Sequence, residues 1–136
     1  MNDEEIFNLS YWRVFDGDAD GNTFAEEAYG VFLRQPEVAA KFARSTPDKP
    51  KEMLRISVTI AASFYFNRKP ELLLAKFAEL HSLRQLDIEP HLYAHWLDSV
   101  LAAVKLHDPQ CDERVLEAWR NILTPAIEFM QSKYSA

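Results

Sequence analysis

The stretch PELLLAKFAELHSLRQLDIEPHLYAHWL, from Pro70 to Leu97, decides the predicted fold of this chain. Pro70 suits the first turn of a helix, and apolar residues then recur at three- and four-residue spacing, ending in His81. A corner over residues 86–89 follows, and Pro90 restarts a helix. An inward imidazole needs a partner, which can be a carbonyl, a carboxylate or a metal ion. From this stretch alone, a core histidine bonded to a protein group is the simpler interpretation.

The composition around this stretch is typical of a folded helical protein. The chain has 136 residues, of which 48% are hydrophobic and 26% are charged, which fits one domain over residues 1–136 with a substantial core. It contains three glycines, whereas sheet proteins need turn residues about every eight to twelve positions. The sequence therefore predicts an all-helical protein.

The charge pattern excludes some classes of partner. The chain has 15 Lys and Arg residues against 21 Asp and Glu, a net charge of −6, and its basic residues are scattered. Nucleic acids and anionic membranes are bound by clustered basic residues, so we expect neither as a partner. The longest apolar run, within residues 56–66, is too short to span a bilayer. One cysteine, Cys111, and an N-terminus without signal-peptide features favour the cytoplasm.

Hydrophobic spacing predicts helices on both sides of the histidine stretch. They cover residues 3–15, a segment starting near Thr23, and residues 36–42, 50–66, 90–107 and 112–133. Helix 50–66 is apolar almost all round, so we expect it to be buried on most sides. Gly30 lies within the second helix, where it marks either the close approach of another helix or a neutral substitution. Pro125 is expected to kink the last helix. The first helix is predicted to turn inward Phe7, Tyr11, Trp12 and Phe15.

Taken together, the segments resemble a globin of the bacterial single-domain kind. The residues that carry the resemblance are AYGVFLRQPEVAAKF (28–42), KEMLRISV (51–58), FAELHSLRQLDIEPHLYAHWLDSVL (77–101) and EAWRNILTPAIEFMQSKY (117–134). They follow the order and spacing of the family over most of the chain, from about Phe24 to Tyr134. The resemblance implies an all-α, globin-like fold of about six to eight helices, with haem b held between two central helices.

The resemblance also implies a role for His81. This residue matches the proximal histidine that ligates haem iron, which replaces the simpler interpretation given above. Phe42 matches the phenylalanine that packs against haem at the corner after the third helix. Further haem contacts are implied for Phe77, Leu80, Ile88 and Tyr93. For each of these four, ordinary core packing explains the residue equally well.

The distal side departs from the family pattern. Tyr29 matches the second-helix tyrosine that donates a hydrogen bond to bound oxygen, although counting back from Pro36 gives Ala28 instead. The position of the usual distal glutamine falls on Pro50, which has no donor. The groups that could turn into the pocket are then Lys49, Lys51 and Met53. A Met53 thioether can be a sixth iron ligand, but ordinary core packing is the better explanation of this residue.

A calcium-loop pattern, D-x-D-x-D-G-x5-E, occurs independently of the resemblance. It is formed by Asp16, Asp18, Asp20, Gly21 and Glu27. Carboxylates at these positions can wrap a Ca²⁺ ion, with the glycine allowing the sharp turn. Against this, Thr23 stands where an aliphatic residue usually pairs with a second loop, and Phe24 stands at a position that usually supplies a ligand. A Ca²⁺ site and a plain acidic corner between helices both remain open.

The other conspicuous residues form no recognisable catalytic motif. His91 and His95 are one helical turn apart, but the sequence shows no cysteine or carboxylate that completes a metal site with them. Cys111 has no histidine nearby in sequence to activate it. There is no phosphate loop, nucleophile motif or reductase domain, which argues against an enzyme and means that any redox activity needs an external reductase.

The leading hypothesis is a haem-binding globin that reversibly binds O2 or another diatomic gas, as a sensor or scavenger. The alternative is a globin fold without haem that serves as a regulatory interaction module, with the acidic loop as a Ca²⁺-responsive element. The last two helices, which are rich in Trp and Leu, are the expected surface for a homodimer.

Overall fold

The computed structural model of the protein describes residues 1–16, 21–41, 50–67 and 88–134. They form the helices α1 (Asp3–Phe15), α2 (Gly21–Phe32), α3 (Pro36–Lys41), α4 (Pro50–Asn67), α5 (Leu92–His107) and α6 (Glu113–Ser132). No strand occurs in these four ranges, so the predicted all-helical class is confirmed. The predicted histidine helix lies in residues 68–87, outside the described residues.

Side-chain caps fix the starts of α1 and α6. Asn2 Oδ1 accepts from the Glu5 backbone N–H at 2.9 Å, while the Glu5 carboxylate accepts from the Asn2 N–H at 3.3 Å. Asp112 accepts from the Val115 N–H at 2.9 Å. Each cap satisfies a donor that the first helical turn leaves free, which explains why the two helices begin where they do.

The core lies where α1, α2, α4, α5 and α6 meet. α2 packs against α5 and α4, and α6 packs against both α4 and α1. At the centre, the ring of Trp119 lies 4.7 Å from that of Phe7, centroid to centroid, in an edge-to-face contact. Phe15 and Phe24 make a similar contact at 5.1 Å. Such contacts between fully buried rings contribute beyond the apolar area they bury.

Four polar side chains join α1, the end of α5 and α6 inside this core. The Asp108 carboxylate accepts from Arg13 Nε at 2.6 Å and from Arg13 Nη2 at 2.8 Å. Ser10 Oγ donates to Asp108 at 2.6 Å and accepts from the Trp119 indole N–H at 2.8 Å. The Gln110 backbone N–H also donates to Asp108, at 2.9 Å. Each polar group of this cluster thus has a partner, which removes most of the cost of burying it.

Some of the predicted helical faces are wrong. Trp12, predicted to face inward, is 58% exposed, and Ser10 is buried in α1 instead. Helix α4, predicted to be buried on most sides, exposes Met53, Ile56 and Phe66. The reason is geometric: α4 packs on α2 and α6, and hydrophobic composition alone does not say which side of a helix has a neighbour.

The helix bounds differ by one or two residues from those predicted in four helices, including α4, which ends at Asn67 instead of residue 66. α2 starts at Gly21 rather than near Thr23, α5 starts at Leu92 and α6 covers Glu113–Ser132. α6 continues through Pro125. Within the part of the chain that the structure describes, no heavy atom lies within 4 Å of a Cβ added to Gly30, so this glycine does not mark close helix packing. No described helix is long and apolar enough to cross a membrane.

Candidate functional site

A small apolar cluster lies apart from the main core, where α2, α3 and the start of α5 meet. Its buried members are Phe32, Val38 and Leu92. The half-buried residues packed against it are Tyr29, Leu33, Ile88 and Trp96. Two residues from the sequence prediction, Tyr29 and Ile88, therefore belong to one cluster although they are far apart in the chain. This cluster is the candidate wall of a ligand pocket.

Tyr29 lies between the small apolar cluster and the main core and contacts both. Burial raises the pKa of Tyr29 to about 12, so its phenol is protonated and can donate a hydrogen bond at neutral pH. Among the described residues, none hydrogen-bonds to this hydroxyl. Ala28, the alternative from counting back, is buried in the main core and offers no polar group. Of the two, Tyr29 is therefore the residue that can act as a donor to a ligand.

The remaining predicted haem contacts that the structure describes are Tyr93 and Met53. Burial raises the pKa of Tyr93 to about 12, and its side chain is half-buried in the first turn of α5. Met53 lies in the first turn of α4 with 46% of its surface exposed and is not one of the buried or half-buried residues of the small apolar cluster. Four predicted haem-site residues fall outside the described residues: Phe42, Phe77, Leu80 and His81. Lys49, one of the three groups considered for the distal pocket, also falls outside them.

The predicted calcium-loop residues that the structure describes face cationic or basic side chains. Asp16 forms an ion pair with Arg55 of α4, which also donates to the Tyr11 hydroxyl at 3.2 Å. Glu27 Oε1 lies 3.9 Å from His107 Nε2 of α5. Because α2 begins at Gly21, Glu27 falls in the second turn of the helix. Asp18 and Asp20 lie outside the described residues, and a Ca²⁺ site remains an untested prediction.

Sequence reasoning missed one group of side chains altogether. His91 Nε2 is hydrogen-bonded to Glu37 of α3, and Glu89 lies beside them. Lys41 Nζ, one turn after Glu37 in α3, is 2.7 Å from Glu89 Oε1. The sequence signal was the pair His91 and His95, whose rings lie 6.5 Å apart, but the carboxylate from α3 is 54 residues away in the chain. Only the fold brings it to the histidine.

Two further sequence predictions concern surface residues. Cys111 is half-buried, and burial together with Asp108, Asp112 and Glu113 raises the pKa of its thiol, so it is not an activated nucleophile. Of the Trp residues expected at a dimer surface, Trp119 is fully buried and Trp96 packs within the chain. The homodimer remains an untested prediction.

Comparisons with known proteins give one informative result. No protein-family model and no curated protein sequence matches the chain. The chain is similar to the crystal structure of PA3967 from Pseudomonas aeruginosa PAO1, a protein described as structurally highly homologous to a human haemoglobin. The TM-score is 0.90 with 30% sequence identity, over 99% of this chain and 100% of the other. The predicted globin-like fold is thereby confirmed.

Proposed function

The chain belongs to the family of this Pseudomonas aeruginosa protein, and from that premise we propose that it is a haem-binding globin that reversibly binds O2 or another diatomic gas. The observation that carries the proposal is the likeness of nearly the whole chain to a protein described as structurally homologous to haemoglobin. His81 supports it from the sequence, because it is the residue that matches the proximal ligand of haem iron.

The small apolar cluster fits the needs of a haem group. A porphyrin is a flat, largely apolar ring that requires a dry wall, and Phe32, Val38 and Leu92 are nine-tenths or more buried and carry no polar side-chain atom. Ile88 packs on the same cluster. Apolar surroundings keep water away from the iron and so slow its oxidation.

A bound haem supplies an iron atom with a coordination position at which diatomic gases bind reversibly. In the proposal, His81 would hold the iron, and a hydrogen-bond acceptor would orient its second ring nitrogen. Tyr29 would donate a hydrogen bond to the gas molecule, since its phenol is protonated at neutral pH and burial raises its pKa further. The exposed Met53 is not part of this proposal.

The physiological role in this proposal is that of a sensor or scavenger of the gas. Because the sequence contains no reductase motif, the ferrous state that O2 binding requires is maintained by an external electron donor. A scavenging role would need that donor at every turnover, whereas a sensing role would need it only to restore oxidised haem.

The test is a visible absorption spectrum of the purified protein after reconstitution with haemin, before and after reduction and exposure to CO. We expect stoichiometric haem uptake and a Soret band that shifts with CO. His81→Ala should lose this spectrum, while His95→Ala, a half-buried histidine of α5, should keep it. Failure of the unmodified protein to take up haem would overturn the proposal, and an unchanged spectrum in His81→Ala would overturn the assignment of the iron ligand.

A further inference from the structure

A compact group of potential metal ligands is formed by Glu37, Glu89 and His91. It does not include His81, the predicted ligand of haem iron. Each of the three residues offers one ligand atom, and these three atoms all lie within 4.8 Å of one another. Glu37 belongs to α3, whereas Glu89 and His91 immediately precede α5. We propose that these three residues bind a divalent transition-metal ion of the zinc type.

The ligand chemistry favours zinc over calcium or magnesium. Zn²⁺ binds imidazole nitrogen and carboxylate oxygen at about 2.0–2.2 Å, so its ligand atoms lie roughly 3–4 Å apart. The three atoms of this group, which lie within 4.8 Å of one another, are close to that spacing. Ca²⁺ and Mg²⁺ take oxygen ligands almost exclusively, and an imidazole discriminates against both. Three protein ligands also leave a position for water, as in open zinc sites.

The present contacts of the group can be exchanged for a metal ion. The hydrogen bond between His91 and Glu37 already directs a ring nitrogen at a carboxylate oxygen, and an ion placed between them would satisfy both. Glu37 and His91 are exposed, so the ion can reach them. Lys41 competes with the ion, because its ammonium group lies 2.7 Å from Glu89 Oε1. Removing Lys41 should therefore strengthen metal binding.

Metal binding here would connect two elements of the small apolar cluster. α3 contributes Glu37 and Val38, while Glu89 and His91 lie between Ile88 and Leu92 in the chain. An ion held by all three ligands would fix α3 against the start of α5. The site does not involve His81, so it can exist whether or not the chain binds haem.

The test is isothermal titration of the tag-free protein with ZnCl2. We expect one saturable ion per chain. Residues that merely support a metal ligand cost about 10–100-fold in affinity when removed, so losing the ligand itself in His91→Ala should weaken binding at least as much. Glu37→Gln should also weaken it, whereas Glu128→Gln, an exposed carboxylate of α6, should not. Absence of Zn²⁺ binding, or unchanged affinity in His91→Ala, would overturn the proposal.

Three controls distinguish zinc binding at this group from zinc binding elsewhere on the chain. Lys41→Ala should bind Zn²⁺ more tightly than the unmodified protein, while Lys105→Ala, an exposed lysine near the other end of α5, should not. His81→Ala should retain Zn²⁺ binding, and loss of binding in that variant would show that the ion binds at His81 and would overturn the proposal. CaCl2 in excess should not displace Zn²⁺; displacement would point to the acidic corner instead and contradict the site.

Discussion

Asp108, at the end of α5, and Arg13, in α1, form a two-pronged ion pair across 95 positions of the chain. The Asp108 side chain is fully buried, and that of Arg13 is 15% exposed. A carboxylate is stable in such a place only when its oxygens are fully bonded, and Ser10 and the Gln110 N–H complete that requirement. This pair therefore ties α1 to the junction between α5 and α6.

Asp108→Asn should destabilise the protein by about 3 kcal/mol, because it leaves a largely buried guanidinium without its counter-charge. The free energy of unfolding in urea measures the change. Asp98→Asn, an exposed residue of α5, is the matched control and should shift stability by no more than about 0.5 kcal/mol. Equal changes in the free energy of unfolding for the two substitutions would show that the ion pair of Asp108 does not stabilise the protein.

The stabilisation from Asp108 should disappear in acid. Burial alone would raise the pKa of Asp108, but hydrogen bonds from Arg13, Ser10 and Gln110 outweigh it and hold the pKa below its ordinary value. A lowered folded-state pKa gives stability above the unfolded-state value, about 3.9, and this stability is lost as the pH falls through the folded-state pKa. The difference in unfolding free energy between the unmodified protein and Asp108→Asn should therefore shrink below about pH 4.

The same experiment has an internal control. The pKa of Asp3 is lowered by hydrogen bonds from Arg114 and Asn121, so Asp3 also contributes to acid sensitivity. Both proteins contain Asp3, and its contribution cancels in their difference. A difference that stays constant from pH 7 to pH 3 would contradict the role given to Asp108.

Ser10→Ala should cost about 1–3 kcal/mol, since it leaves the Trp119 indole N–H without an acceptor and removes one of the two donors to Asp108 Oδ2. Urea unfolding followed by tryptophan fluorescence measures it. Ser57→Ala, which removes an exposed hydroxyl that donates to the Met53 carbonyl, should have little effect. Combined with Asp108→Asn, Ser10→Ala should cost less than the sum of the two changes, because both act on one network.

Gly30→Ala should stabilise the protein by about 0.5–1 kcal/mol. The position is helical and exposed, and among the described residues no atom obstructs an added methyl group, so alanine lowers the entropy of the unfolded chain at no packing cost. Ala102→Gly, at an exposed site in α5, is the reverse control and should destabilise by a similar amount. Thermal unfolding measures both, and a loss of stability in Gly30→Ala would reveal a contact at this position.

Tyr29→Phe should speed O2 dissociation from the haem-loaded protein by about tenfold, the equivalent of one hydrogen bond to the gas. Stopped-flow displacement of O2 by CO gives the rate. Tyr65→Phe, a half-buried tyrosine of α4 packed against the main core, is the matched control and should leave the rate unchanged. An unaltered rate in Tyr29→Phe would remove this residue from the gas site while leaving the haem proposal intact.

Most of the fold could be predicted because its signals are local. The three- and four-residue spacing of apolar residues gives α5 and α6 their inward faces, on which Val100, Val104, Trp119 and Ile122 are buried. The exception in α1 has a non-local cause. Ser10 is buried and Trp12 exposed because the Ser10 hydroxyl bonds to Asp108 and Trp119, 98 and 109 positions away. Periodicity within one helix contains no information on such partners.

In the candidate site, too, residues with a local sequence signal could be predicted, and residues that depend on non-local contacts could not. Tyr29 could be selected from a short motif, but only the packing shows that it, rather than Ala28, faces the small apolar cluster. The partner of His91 could not be predicted, because Glu37 is in a different helix and nothing in the local sequence marks the pair. The spacing of residues along the chain predicts which of them share one helical face. It does not predict which residues of different helices come into contact.

The two charged contacts of α3 also determine how this short helix can dock. Glu37 faces His91 and Lys41 faces Glu89, so the signs alternate along the helix and along its partner segment. A slide of α3 by one turn would bring Glu37 against Glu89, or Lys41 against His91, and each of these pairs repels when charged. A helix of 6 residues has little apolar surface with which to choose its position. The order of charges therefore favours one position of α3 along its axis and disfavours the positions one turn away on either side.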